Sequence, residues 1–110
     1  MNIKELTENG VPVIVVDGSL DADGTQELEQ AVAGVLDQEP KHIVFDFSEL
    51  DYINSSGLRV LVMAYQKLKK NDGVVAICGI KDYIKEVFEI SGFDRVFRMH
   101  AGRKDALDEL

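Results

Sequence analysis

Two rhythms of hydrophobic residues run along the chain. Val11 to Val16 (VPVIVV), His42 to Phe47 (HIVFDF) and Val74 to Cys78 (VVAIC) are short apolar runs rich in β-branched residues. Runs of that length and composition predict strands buried deeply in a sheet. Between them the spacing becomes helical. Leu28, Ala31, Val32, Val35 and Leu36 share one face, as do Leu58, Leu61, Val62, Tyr65 and Leu68, and then Ile84, Val87 and Phe88. Ile3 to Leu6 is expected to pair with Val11–Val16 through Asn9-Gly10, a strong hairpin signal, with Pro12 near the strand start. Phe93 to Arg98 reads as a short final strand, and Ala101 to Leu110 as a last, frayed helix.

The punctuation between these segments is polar. Gly18 to Gly24 (GSLDADG) reads as a loop, with Asp23 and Gln26 forming a capping box for the first helix. Gln38-Glu39-Pro40 ends that helix. Ser48 to Asn54 reads as a loop leading to Ser55-Ser56-Gly57, where a second helix opens and runs to about Asn71. Ser55 reads as the N-cap of this helix, and Lys67, Lys69 and Lys70 suit its negative end. Gly73 is its terminator. Asp82 is expected to cap the third helix and Gly92 to stop it. Strands alternate with helices and no linker or repeat interrupts them. The fold class is therefore α/β, a single domain over residues 1–110 with a mixed β-sheet and a parallel crossover between His42–Phe47 and Val74–Cys78.

Composition narrows the function. The 110 residues are 45% hydrophobic, enough for a core without disulfide or metal, and their 20 acidic against 12 basic residues give a net charge of −8. Such a chain is repelled by nucleic-acid backbones and anionic membranes, so a basic protein partner is expected instead. The single cysteine, Cys78, lies in an apolar run and reads as an inert core thiol. The N-terminal MNIKELTENG carries no apolar signal segment, and no run approaches the roughly 20 residues of a membrane helix. A cytoplasmic location is expected.

Catalysis finds little support. The histidines are His42 and His100. A Ser55–His42–Asp46 triad fails, because His42 and Asp46 stand roughly 13 Å apart along one strand. No GxSxG elbow, Walker A loop, G-x-G-x-x-G or Cys/His cluster is present, and Asp21-Ala22-Asp23-Gly24 lacks the Glu that closes an EF-hand loop. No enzyme activity, metal or cofactor is expected. What remains is Tyr52-Ile53-Asn54-Ser55-Ser56-Gly57-Leu58, serines opening a helix beyond the carboxyl end of a strand. Open α/β sheets carry their functional groups at such ends. Ser55 there serves as a cap, as a phosphoacceptor, or as both, since free N–H groups and the helix dipole favour a phosphate.

At this motif the sequence resembles the anti-sigma factor antagonist family, the STAS domain. Asp46 to Lys70 (DFSELDYINSSGLRVLVMAYQKLKK) is similar to the family pattern of a strand ending in Asp, a short loop, then Asp-Ser-Ser/Thr/Ala-Gly-Leu/Ile opening a helix. The loop Gly18–Gly24 is similar to the family's Gly-x-Leu/Ile-Asp, and Ile90–Phe97 (ISGFDRVF) also matches. The resemblance implies that Ser55, not Ser56, is phosphorylated, and that Asp21 lies near it. One residue departs: Asn54 stands where the family usually has Asp. The implied partners are an anti-sigma factor that is also a serine kinase, and a serine phosphatase. The unphosphorylated chain would bind the kinase and free a sigma factor; phosphorylation of Ser55 would end the interaction. The expected partner surface is Asp21, Asn54, Ser56, Gly57, Leu58 and Arg59. The alternative is a STAS binding module that phosphorylation does not regulate, an accessory subunit of a transporter or a signalling subunit.

Overall fold

The computed structural model describes residues 1–110. The chain enters as β1 (Asn2–Glu8), turns at Asn9-Gly10 and returns as β2 (Val11–Leu20), antiparallel and in register from Asn2–Asp17 to Glu8–Val11. Asn9 and Gly10 both have positive φ (54° and 75°), the left-handed conformation that a tight two-residue hairpin demands. Then come α1 (Ala22–Leu36), β3 (Ile43–Ile53), α2 (Ser55–Lys69), β4 (Val75–Cys78), α3 (Asp82–Ser91), β5 (Arg98–His100) and α4 (Arg103–Glu109). The sheet order follows the chain, β1-β2-β3-β4-β5, and every pair after the hairpin is parallel.

The two faces of the sheet are covered unequally. One carries the main core, where Leu28, Val32 and Val35 of α1, Leu58, Leu61, Ala64 and Leu68 of α2, and Ile84 and Phe88 of α3 meet Ile14, Phe45, Phe47 and Ile77. The other face holds a small cluster in which Ala106 and Leu107 of α4 cover Val13, Val44, Ala76 and Cys78. The central strands are thus buried on both sides, which is why they read as unbroken apolar runs. Burial pushes the Cys78 thiol up to about 12, with the Asp46 charge adding to the shift, so the sulfur stays protonated.

Several boundaries differ from the sequence reading. The expected loop Ser48–Asn54 is strand: β3 continues to Ile53 and pairs with β2 through two irregularities, between Val15/Asp17 and between Gly18/Ser19, where β3 carries the extra residue. Gly18 to Leu20 likewise belongs to β2 rather than to a loop. Phe93 to Arg98 is not one strand. Gly92 turns at φ 78°, Phe93–Arg95 forms a 3-10 turn, and pairing with β4 starts only at Arg98. The ring of Phe97 holds this segment, edge-on to Phe88 (5.9 Å) and Tyr65 (6.1 Å).

The last helix is anchored rather than frayed. Arg103 opens α4 and donates from Nε (3.1 Å) and a terminal nitrogen (2.9 Å) to the buried carboxylate of Asp46, while its other terminal nitrogen reaches Glu8 at 2.7 Å. Asp46 also accepts from the N–H (3.0 Å) and hydroxyl (2.7 Å) of Ser48. Burial by itself would raise the Asp46 pKa, but the bonds from Ser48 and then Arg103 outweigh it and hold the carboxyl below its ordinary value. A depressed carboxyl pKa adds stability that is complete above the unfolded value near 3.8 and is lost as pH falls through the folded value. The stability advantage of wild type over Asp46→Asn, read from urea melts between neutral pH and about pH 3, is therefore expected to shrink on acidification. A gap that stays constant across that range would remove Asp46 from this role.

Candidate functional site

The parallel strands β2, β3 and β4 all end at one rim of the sheet, and α1, α2 and α3 all begin there. Within this rim two helix starts are built alike. Leu20 and Ile53 are paired at the ends of β2 and β3, and the next residue of each segment is an N-cap in extended backbone: Asp21 for α1, Asn54 for α2. The Asp21 carboxylate accepts the N–H of Gly24 at 2.9 Å, and the Asn54 carbonyl oxygen accepts the N–H of Gly57 at 3.0 Å. The Asn54 N–H donates to the carbonyl of Leu20 (3.2 Å), tying the second start to the first. Asp21-Ala22-Asp23-Gly24 and Asn54-Ser55-Ser56-Gly57 are thus two copies of one device, side by side.

The glycine in each copy has a steric reason. A Cβ on Gly24 would lie 2.1 Å from the carbonyl oxygen of Ser19, and one on Gly57 would lie 2.9 Å from Ile53 Cγ1 and 3.2 Å from Leu20 Cβ. The first turn of each helix sits so close to the strand ends that a side chain would push it away.

Three caps therefore fall one or two residues from where the sequence put them. Asp21 caps α1 in place of the Asp23–Gln26 box. Asn54 caps α2, and Ser55 is the first helical residue, exposed and not used to close the helix. Lys81 precedes α3 without a side-chain cap bond, and Asp82 is its first helical residue. The N–H groups of Ser55 and Ser56, at the first two helical positions, have no intrahelical acceptor. A helix start of this kind suits an anion.

Stability should follow the geometry: Asn54→Ala is expected to cost about 0.5–2 kcal/mol through loss of the cap, whereas Ser55→Ala should change stability by less than about 0.5 kcal/mol. Denaturant melts of the two variants decide this, and the reverse ranking would return the cap to Ser55.

Asp21, Asn54, Ser55, Ser56 and Arg59 stand together on the rim. Ser56 and Arg59 line a cleft of about 400 Å³ between α1 and α2, facing Gln26, Glu29 and Thr25, whose hydroxyl is buried without a hydrogen-bond partner. Arg59 is exposed and pairs with no carboxylate of its own chain. Gly57 and Leu58 do not belong to the surface. Both are buried, Gly57 against the strand ends and Leu58 in the main core, so they position the site from within rather than offering contacts. His42 sits just before β3, at the far end of the strand from Ser55, and its Nδ1 accepts the N–H of Val74 at 3.0 Å. Burial first, then the charges of Lys41 and Arg98, lower its pKa, which keeps the ring neutral as that bond requires.

The site is thus a pair of helix starts on one rim of an α/β sheet, one opening with an exposed serine and the other capped by a carboxylate. The model of the STAS domain family matches residues 2–106, and the chain belongs to that family. A putative anti-sigma factor antagonist, BtrV of Bordetella bronchiseptica, is 33% identical over 89% of this chain and 84% of that protein. An anti-sigma-B factor antagonist of Staphylococcus aureus is 28% identical, covering 93% and 94%. Among solved structures, an anti-sigma factor antagonist from Mycobacterium paratuberculosis superimposes with a TM-score of 0.86 at 30% identity, covering 98% of this chain and 93% of that one. The fold class read from the sequence is thus found, a five-stranded mixed sheet with four helices. No helix is long and apolar enough to cross a membrane.

Proposed function

We propose that this chain is an anti-sigma factor antagonist switched at Ser55. In the unphosphorylated form its rim binds an anti-sigma factor that is also a serine kinase, and a sigma factor is released. The kinase transfers phosphate to Ser55 and the interaction ends; a serine phosphatase restores it. These events belong to the cytoplasm. The observation that carries the reading is the exposed Ser55 at the first position of α2, with its hydroxyl unengaged by the cap and the Asp21 cap beside it. The names of the Bordetella and Staphylococcus relatives support the same role.

The physics of the switch is local. A phosphate adds about −1.5 to −2 charges and lies where two free N–H groups and the helix dipole stabilise it. The domain then tolerates the modification, but a partner that must desolvate this surface meets an unpaired anion, which costs several kcal/mol.

Asn54 bears on the competing reading of an unregulated binding module. Its amide oxygen makes the cap bond that Asp would make, so only a charge is lost and the serine keeps its place. Incubation with the organism's anti-sigma kinase and ATP, followed by phosphopeptide mapping, should find one phosphate, on Ser55. Phosphate on Ser56 with Ser55 bare would refute the site, and no phosphate at all would favour the unregulated module.

A further inference from the structure

The same rim carries two exposed aromatic side chains, Tyr52 (51% exposed) and Tyr83 (55%). Neither contributes to the core, yet neither belongs to a loose segment. Tyr52 is the penultimate residue of β3, paired with Ser19 and two residues ahead of the Asn54 cap. Tyr83 stands in the first turn of α3, and its hydroxyl donates to the carbonyl of Asp51 at 2.9 Å. The Asp51 carboxylate in turn takes Lys81 at 2.8 Å. These two bonds clamp the start of α3 to the end of β3, on the edge that β4 leaves free after Cys78. The Tyr83 ring is thus tied to the end of β3, and Tyr52 stands exposed one residue on from Asp51 and three before Ser55.

We propose that Tyr52 and Tyr83 anchor the docking of the anti-sigma kinase, extending its footprint from the start of α2 across to α3. This rests on the function proposed above. Tyrosine supplies a large rigid contact area with a polar tip at small entropic cost, and it is enriched among the few residues that dominate an interface. The setting specifies the partner's chemistry. Lys81 is neutralised by Asp51, whereas Asp21, Asp23, Glu49 and Asp82 on this rim have no cationic partner within the chain and outnumber the free cations there, Arg59 and Lys85. The surface that fits is an apolar pocket ringed by Arg or Lys, which favours one occupant, a basic protein face, over a second copy of this acidic chain. Phosphate at Ser55 then adds charge to the middle of the footprint rather than to its edge.

The experiment is titration calorimetry of the unphosphorylated full chain against the organism's purified anti-sigma kinase, with wild type, Tyr52→Ala, Tyr83→Ala, Tyr83→Phe and Ile90→Ala. Ile90 is 87% exposed but lies in the last turn of α3, away from the rim, and serves as the control for an exposed apolar group. Tyr52→Ala and Tyr83→Ala should each weaken binding by about tenfold or more, while Tyr83→Phe and Ile90→Ala stay within about threefold of wild type. Alanine variants that bind like wild type would overturn the anchor role and leave the antagonist reading standing. Equal losses for Tyr83→Phe and Tyr83→Ala would make Tyr83 a clamp of α3 instead of a contact. Failure of wild type itself to bind the kinase would overturn both proposals.

Discussion

Phosphorylation of Ser55 is expected to lower the affinity for the anti-sigma kinase by at least about 100-fold, about 2.7 kcal/mol, without unfolding the domain. The size follows from placing a dianion in a surface that binding must dehydrate, and the tolerance follows from where Ser55 sits. As the first residue of α2 it adds its phosphate to the positive end of the helix, and the cap bond between Asn54 and Gly57 is untouched. Asp21, at the start of the neighbouring helix, opposes the new charge by repulsion. Amide spectra should therefore shift around residues 19–25 and 52–60, leaving β1, β4 and α4 unmoved. Ser55→Asp should reproduce only part of the loss, having one charge and fewer acceptor oxygens. Ser55→Ala should bind and resist inactivation. Shifts spread across all strands would point to a change of fold instead.

The second large effect is expected inside α1, where two glycines should respond oppositely to the same substitution. Gly24→Ala puts a methyl 2.1 Å from the backbone oxygen of Ser19, a contact that no side-chain rotation relieves. We expect a loss of about 3 kcal/mol and weakened kinase binding, because the Asp21 turn must lift from the strand ends. Gly34, ten residues on, has nothing within 4 Å of the same position. There the methyl should stabilise the helix by up to about 1 kcal/mol and leave binding alone. Thermal melts of the two variants test this contrast. Equal behaviour would mean that the close approach of α1 to β2 is not what holds the rim.

Much of this architecture can be read from the chain because its signals are local. Asn9-Gly10 specifies a turn with two positive φ values, and the helical spacing of Leu28, Val32 and Val35 or of Leu58, Leu61 and Leu68 identifies the buried faces. The helix starts are harder to read, for one recurring reason. The ends of β2 and β3 carry exposed or half-buried polar residues, Asp17, Ser19, Ser48, Glu49 and Asp51, and their pairing passes through irregularities. Alternation fades there, so strand resembles loop, and the cap is sought at Asp23 or Ser55 when Asp21 or Asn54 performs it. The inward placing of Leu58 follows from that same spacing with Leu61 and Leu68, which argues against a place for it on the partner surface. The bond of Arg103 to Asp46 spans 57 residues and has no local signature beyond an acidic residue in an apolar run. Tyr83 also needs the fold, since only the joined ends of β3 and α3 bring it to Asp51, next to Tyr52 in the chain.

In the proposed switch the unphosphorylated chain, through its rim, takes an anti-sigma kinase away from a sigma factor. The most direct measurement titrates the chain into a preformed complex of the organism's anti-sigma kinase and its sigma factor, following release of fluorescently labelled sigma factor by anisotropy. Unphosphorylated wild type and Ser55→Ala should release the sigma factor stoichiometrically, and chain phosphorylated at Ser55 should release none at the same concentration. Equal release by the phosphorylated and unphosphorylated forms, or no release by either, would contradict the account.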